Sequence, residues 1–170
     1  RTEYQRLLVE KTVVDAGGGH YLYLMREVPA SLYIRELGKT LRCSLTGPVT
    51  SFPGRRVHLD FDKVTLPLVI RSRREGDRIK LKVDRTKRTG VGGAPEHGGH
   101  LEAGTRKLKD LFIDHKVPRA LRALVPVVET GGRIAAVFCS VYGRDNRVSD
   151  LYGVTPETEQ VLVLELVPQQ

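Results

Sequence analysis

Apolar and polar residues alternate over residues 57–61, the period of a strand with one buried face. Val57, Leu59 and Phe61 interleave with His58 and Asp60 in this way. Residues 4–14 and 20–28 are rich in β-branched and aromatic side chains and read as strands. Between them, Asp15 to Gly19 supplies a hairpin turn, because consecutive glycines reach positive φ without steric cost. Residues 42–49 and 55–61 form further strands about a turn at Pro53-Gly54. Residues 65–71 form another, in which Pro67 argues for an edge or an entry point. Residues 31–37 fit either a short helix or an edge strand. The chain closes on strands at 125–129, 133–141 (after a Gly131-Gly132 turn) and 160–167.

The period changes once. Leu108, Leu111, Phe112 and His115 recur at helical spacing, and Thr105 is placed to cap that helix. Val117-Pro118 stops it, Pro118 suits the first position of a short second helix over 119–124, and Pro126 ends that. The glycine-rich stretch 82–104 has almost no apolar surface with which to order itself and reads as a long loop. These elements predict a mainly β domain with a helical hairpin inserted late.

A length of 170 residues suits one domain, or one domain with a small annex. No apolar run approaches the ~20 residues that span a bilayer, and nothing resembles an export signal. The chain begins at Arg1 and has its only methionine at Met25, so we expect a piece of a longer protein. Cys43 and Cys139 lie in apolar, strand-like surroundings with no Cys-x-x-Cys partner, which predicts buried free thiols and a cytoplasmic location. The formal charge is +8, and its distribution is uneven. Residues 71–122 hold fifteen Lys and Arg against seven Asp and Glu, while the rest of the chain sums to zero. An excess confined to one segment predicts a polyanionic partner.

Within that segment Arg71, Arg73, Arg74 and Arg78 crowd one bend at a strand end. Such cations repel one another until a multivalent anion relieves them, and arginine's planar fork matches phosphate. On a helix starting at Thr105, Arg106, Lys109, Ile113 and Lys116 share a stripe turned away from Leu108 and Phe112. Lys107 joins them in the first turn, where cations oppose the helix dipole, and Arg119 and Arg122 extend the positive surface. Phe112 is the only aromatic residue of the segment, which disfavours base stacking on single strands and favours reading duplex RNA by shape and phosphates.

Other signals carry less. Gly17 to Gly19 are too consecutive for a dinucleotide fingerprint. Gly38-Lys39-Thr40 echoes a phosphate loop, but Tyr33 stands where its first glycine belongs. Glu96, His97 and His100 lack a further ligand at a convincing spacing, so no metal site is assigned. Asp110 and Asp114 sit among cations and read as ion-pair partners, and His115 as a packed residue. No nucleophile–base pair emerges, so no catalytic residue is assigned and the chain by itself is not expected to be an enzyme.

Pro67-Leu-Val-Ile-Arg71-Ser-Arg73-Arg74-Glu-Gly76-Asp77-Arg78 is followed by Lys107-Leu-Lys-Asp-Leu-Phe-Ile-Asp-His-Lys-Val-Pro-Arg119 and Pro126. The Gly143-Arg144 turn, Thr158 and a closing Val-Leu-Val-Leu-Glu-Leu strand come after these. This combination resembles the C-terminal domain of tRNA(Ile)-lysidine synthases, closely over about 57–167 and loosely before that. The resemblance implies a β-sandwich-like domain, of a kind shared with the phenylalanyl-tRNA synthetase β subunit, with 1–56 as a lead-in and 57–170 as the domain proper. It implies a parent enzyme that uses ATP, with Mg, to adenylate the wobble cytidine of isoleucine tRNA before lysine displaces AMP. That chemistry belongs to an N-terminal catalytic domain whose Ser-Gly-Gly-x-Asp-Ser loop this chain lacks, so no cofactor is expected here. The implied partners are the acceptor stem of isoleucine tRNA, the parent's own catalytic domain and, compatibly, a second copy; rejection of the methionine tRNA follows from the first. Relatives join the Gly-Asp-Arg turn to the helix by a shorter loop than the insertion at about 81–103, which here adds Lys82, Arg85, Lys87 and Arg88. The competing expectation is an interaction module that packs on a catalytic domain or second subunit.

Overall fold

The computed structural model describes residues 9–11, 20–52, 55–81 and 104–168. The predicted turns at 15–19 and 53–54, the His97/His100 pair and nearly all of the 81–103 insertion lie outside them.

Two antiparallel sheets carry the fold. One has six strands: β1 (Val9–Lys11), β2 (Leu22–Met25), β6 (Leu68–Arg71), β9 (Val127–Thr130), β10 (Arg133–Val137) and β11 (Arg147–Val148), in that spatial order. The other runs β3 (Ala30–Ile34), β4 (Lys39–Thr46), β12 (Val161–Pro168), β5 (Val57–Asp60). Eight-residue β12 pairs with β4 along its full length, from Val161 opposite Thr46 to Pro168 opposite Lys39, and with β5 on its other side. Both sheets thus draw strands from either side of residue 56, since β2 pairs with β6 as well. Residues 30–34 form an edge strand rather than a helix, and Pro67 stands at the entry to β6, a central strand.

The alternation read in the sequence is what closes the sandwich. Leu41 and Cys43 of β4 point inward between exposed Arg42 and Ser44. With Leu32, Ile34, Val57, Leu59, Leu162 and Leu164 they meet Tyr23, Met25, Leu68, Ile70 and Val128 from the facing sheet in one buried cluster. Cys43 and Cys139 are both buried free thiols, and burial pushes the Cys43 thiol up to about 12.

β9 and β10 are covered on both faces, which explains why 133–139 is a nearly unbroken apolar run. Val128, Ala135 and Ala136 face the sandwich, whereas Val127, Ile134 and Val137 face a second cluster; a bulge between Ile134 and Ala136 permits the change of side. The second cluster is roofed by a two-stranded ribbon, β7 (Arg78–Lys80) with β8 (Thr105–Lys107), and by helix α1 (Leu108–Asp114). Seven residues are too few for a helix to persist alone in water. Leu108, Leu111 and Phe112 are each 0% exposed, and their burial contributes about 1.5–3 kcal/mol apiece, enough to hold α1 in place.

The helix starts at Leu108, three residues after the predicted start at Thr105. Thr105 to Lys107 are strand, because they pair with Arg78 to Lys80, and Lys107 precedes the helix without any side-chain cap. Long-range pairing overrides the local capping signal. The helix ends in a Schellman turn: Val117 N–H donates to Phe112 O and Lys116 N–H to Ile113 O, with Lys116 at φ 54°. A second short helix, α2 (Arg119–Arg122), follows with Pro118 as its N-cap.

Candidate nucleic-acid interface

The basic bend after β6 owes its shape to one buried side chain. Arg71 is 4% exposed. Its Nε donates to Glu129 Oε1 of β9 at 2.8 Å, and Nη1 donates to the Ser72 carbonyl at 3.0 Å. The fork end, Nη1 and Nη2, grips both oxygens of Asp77 at 2.8 and 3.0 Å. Burial opposes the Arg71 charge, but the bonds to Asp77 and Glu129 outweigh it and hold its pKa above the usual arginine value. Asp77 Oδ2 also accepts the Arg74 N–H at 2.6 Å, and Asp77 N–H donates back to Arg74 O at 3.1 Å. The chain reverses there through Gly76, whose φ of 88° disfavours any side chain. Arg73 and Arg74 are left on the outside of this braced turn.

The ribbon brings the other cations up to it. Arg78 lies opposite Lys107 across β7 and β8, and the Asp77 carbonyl accepts the Leu108 N–H at 3.0 Å. Whatever path the insertion takes, its two ends are joined side by side, so the turn and α1 meet. Tyr21 adds a third tie: it exchanges hydrogen bonds with Ser72 (backbone N to Ser72 Oγ at 2.9 Å, Ser72 N to Tyr21 O at 3.0 Å), and its hydroxyl donates to Leu124 O at 2.8 Å, beyond α2. Burial and the Glu36 charge raise the Tyr21 pKa, so that hydroxyl stays a donor.

A half-open cleft of about 750 Å³ lies between turn, ribbon and helices. Among the described residues six cations line it: Arg73 and Arg74 from the turn, Lys107 from β8, Lys109 from α1, Arg119 and Arg122 from α2. His20, Glu75, Gly76, Asp77 and Ala123 complete the wall. Asp77 is already bonded to Arg71, which leaves Glu75 as the one other acid of the lining among the described residues. Arg73, Arg74, Lys107, Lys109 and Arg119 make no ion pair with a described residue. Arg122 donates its Nε to Val117 O at 2.8 Å, which fixes its stem.

Four of the ten cations proposed from sequence lie elsewhere. Arg71 is inside the fold, a brace and not an outward cation, because two carboxylates and a carbonyl satisfy it there. Arg106 faces away on β8, opposite buried Ile79, and pairs with Asp114, so it shares no helical stripe with Lys109. Arg78 and Lys116 are exposed outside the cleft lining. The place of His20 beside Tyr21, whose backbone is tied to Ser72, depends on a contact 51 residues away that no local signal reports.

His115 leaves the buried stripe for a rim position. Its Nδ1 lies 2.9 Å from the Tyr142 hydroxyl, and Phe112 packs edge-on against the same tyrosine. Burial, then the nearby Arg144, Arg147 and Arg106, lower its pKa. Among the described residues no group of three or more His, Cys, Asp or Glu is placed to hold a metal ion, and no helix is long and apolar enough to cross a membrane.

A family model described as "TilS substrate C-terminal domain" matches residues 97–144, the stretch that carries the ribbon's second strand and both helices. A tRNA(Ile)-lysidine synthase of Clostridioides difficile is 35% identical over 103 residues, covering 61% of this chain and 17% of that protein. A bifunctional TilS/HprT protein of Listeria monocytogenes is 32% identical over 119 residues, 64% of this chain and 16% of its own length. A crystal structure of a TilS C-terminal domain superposes with a TM-score of 0.64 at 26% identity, over 89% of this chain and 98% of that one. The chain is similar to lysidine synthase C-terminal domains in both sequence and fold. The fold, mainly β with few helices, therefore matches that of a TilS C-terminal domain, as the resemblance implied. The match to the family model covers Lys107, Lys109, Arg119 and Arg122 but not the Arg73-Arg74 turn, so the cleft joins that stretch to one outside it.

Proposed function

We propose that this lysidine-synthase C-terminal domain binds isoleucine tRNA through the cationic cleft and engages the acceptor stem, as the substrate-holding part of a longer ATP- and Mg-dependent enzyme. The supporting observation is the convergence of six cations from four elements on one concave face, none of them in an ion pair with a described residue. Arginine forks and lysine point charges on a braced framework suit the sugar–phosphate backbone of a folded RNA. Among the described residues no tyrosine, phenylalanine or tryptophan lines the cleft, which disfavours a stacking platform for single strands. The names of the relatives, tRNA(Ile)-lysidine synthases, point to the same substrate. A cytoplasmic location and contact with an N-terminal catalytic domain follow from this reading.

Fluorescence anisotropy with the 170-residue chain tests it. Isoleucine tRNA should bind more tightly than a single-stranded RNA of equal length, and transplanting a methionine-tRNA acceptor stem should weaken binding. Equal affinity for all three RNAs would reduce the cleft to a non-specific basic patch; no binding at low salt would remove the RNA reading.

A further inference from the structure

We propose that Glu129 is a positioning residue for the cationic cleft, acting through Arg71 and touching no RNA itself; the inference rests on the RNA-binding reading above. Glu129 is absent from the cleft lining and lies on β9, one strand away from the bend. Its carboxylate holds Arg71 Nε, while the other end of the same guanidinium holds both oxygens of Asp77. Asp77 in turn holds the Arg74 backbone N–H. One continuous chain of hydrogen bonds therefore runs from a central strand to the residue that presents a cation to the cleft.

Charge alone gives no reason for this arrangement at a polyanion site. A guanidinium between two carboxylates leaves a net negative group beneath the bend, which lowers the local positive potential. Geometry gives the reason. Arg73 and Arg74 are neighbours of like charge on an exposed turn with a glycine at φ 88°. Unbraced, they separate in solution and must be gathered again on binding. The brace removes most of that ordering cost in advance. Glutamate on β9 is thus a requirement of the site, although it lies outside it.

The sign of the effect makes the test decisive. Glu129→Gln keeps the shape and raises the net charge by one, so charge counting predicts tighter RNA binding. Positioning predicts that affinity for isoleucine tRNA falls roughly three- to tenfold. Arg71→Lys is neutral in charge but loses the fork, and should weaken binding similarly. Both are measured by anisotropy well below each variant's unfolding midpoint. In an Arg73→Ala/Arg74→Ala background Glu129→Gln should change affinity no further, a non-additivity that general destabilisation would not produce. If Arg73→Ala/Arg74→Ala binds like the parent, the cleft reading itself fails. If that variant is weakened while Glu129→Gln and Arg71→Lys bind as tightly as the parent, or the losses simply add, the positioning role is overturned. Should Glu129→Gln not fold, the Arg71→Lys arm decides.

Discussion

Replacing Lys109 by alanine isolates one cleft cation with little disturbance to the fold. Lys109 is exposed on α1, one residue after fully buried Leu108, and makes no ion pair with a described residue. Alanine is the best helix former, so the thermal midpoint should stay or rise slightly. The binding consequence follows from the lining. If all six cations each neutralise one phosphate, log K against log salt has a slope of about −5.4, at ~0.9 per phosphate of a duplex. Doubling the salt then weakens binding about fortyfold, and with five cations about twentyfold. Anisotropy titrations of isoleucine tRNA from about 0.05 to 0.3 M salt, for parent and Lys109→Ala side by side, read both slopes. The expected change is close to one unit, with weakening of similar size for any tRNA sequence, since a phosphate contact carries no base information. Two parallel lines from folded proteins would mean that Lys109 meets no phosphate. A flat line for the parent would refute electrostatic binding by the cleft altogether.

Three further outcomes follow from the same geometry. Phe112→Ala empties the centre of the second cluster and should cost about 3–5 kcal/mol, read by urea unfolding, and it should abolish binding only in proportion to unfolding. Lys116→Gly relieves a left-handed lysine at the Schellman turn and should stabilise by about 0.5–1 kcal/mol, with tRNA affinity nearly unchanged because Lys116 lies outside the cleft; a loss of stability would contradict the assigned turn. His115 has a folded pKa lowered from 6.5, so the folded state takes up its proton less readily than the unfolded chain. Its contribution to stability is therefore complete above about pH 6.5 and declines as the pH falls below it, and His115→Gln should flatten part of the fall in thermal midpoint between roughly pH 7 and 5. A His115→Gln profile parallel to the parent's would contradict this.

Much of the strand content was legible because alternation is a local property. Leu41 and Cys43 against Arg42 and Ser44 announce a half-buried strand without reference to the partner, and β12 was placed within a residue of its ends. The ribbon was not legible. Arg78 to Lys80 and Thr105 to Lys107 are too short and too charged to read as strands, and they pair across some 24 residues. That missed pairing also misplaced the helix start, and with it Arg106, which looks outward in sequence and pairs with Asp114 in the fold.

The sequence by itself determined that positive charge is concentrated over 71–122 and that a β framework with one short apolar helix stripe carries it. Composition and period depend on residue type and spacing alone. Which cations share a face was decided only by the tertiary structure, because a side chain's direction depends on partners distant in the chain. Arg71 and Arg73 stand two residues apart in one basic run; Glu129, 58 residues further on, together with Asp77 holds one inside and leaves the other at the cleft.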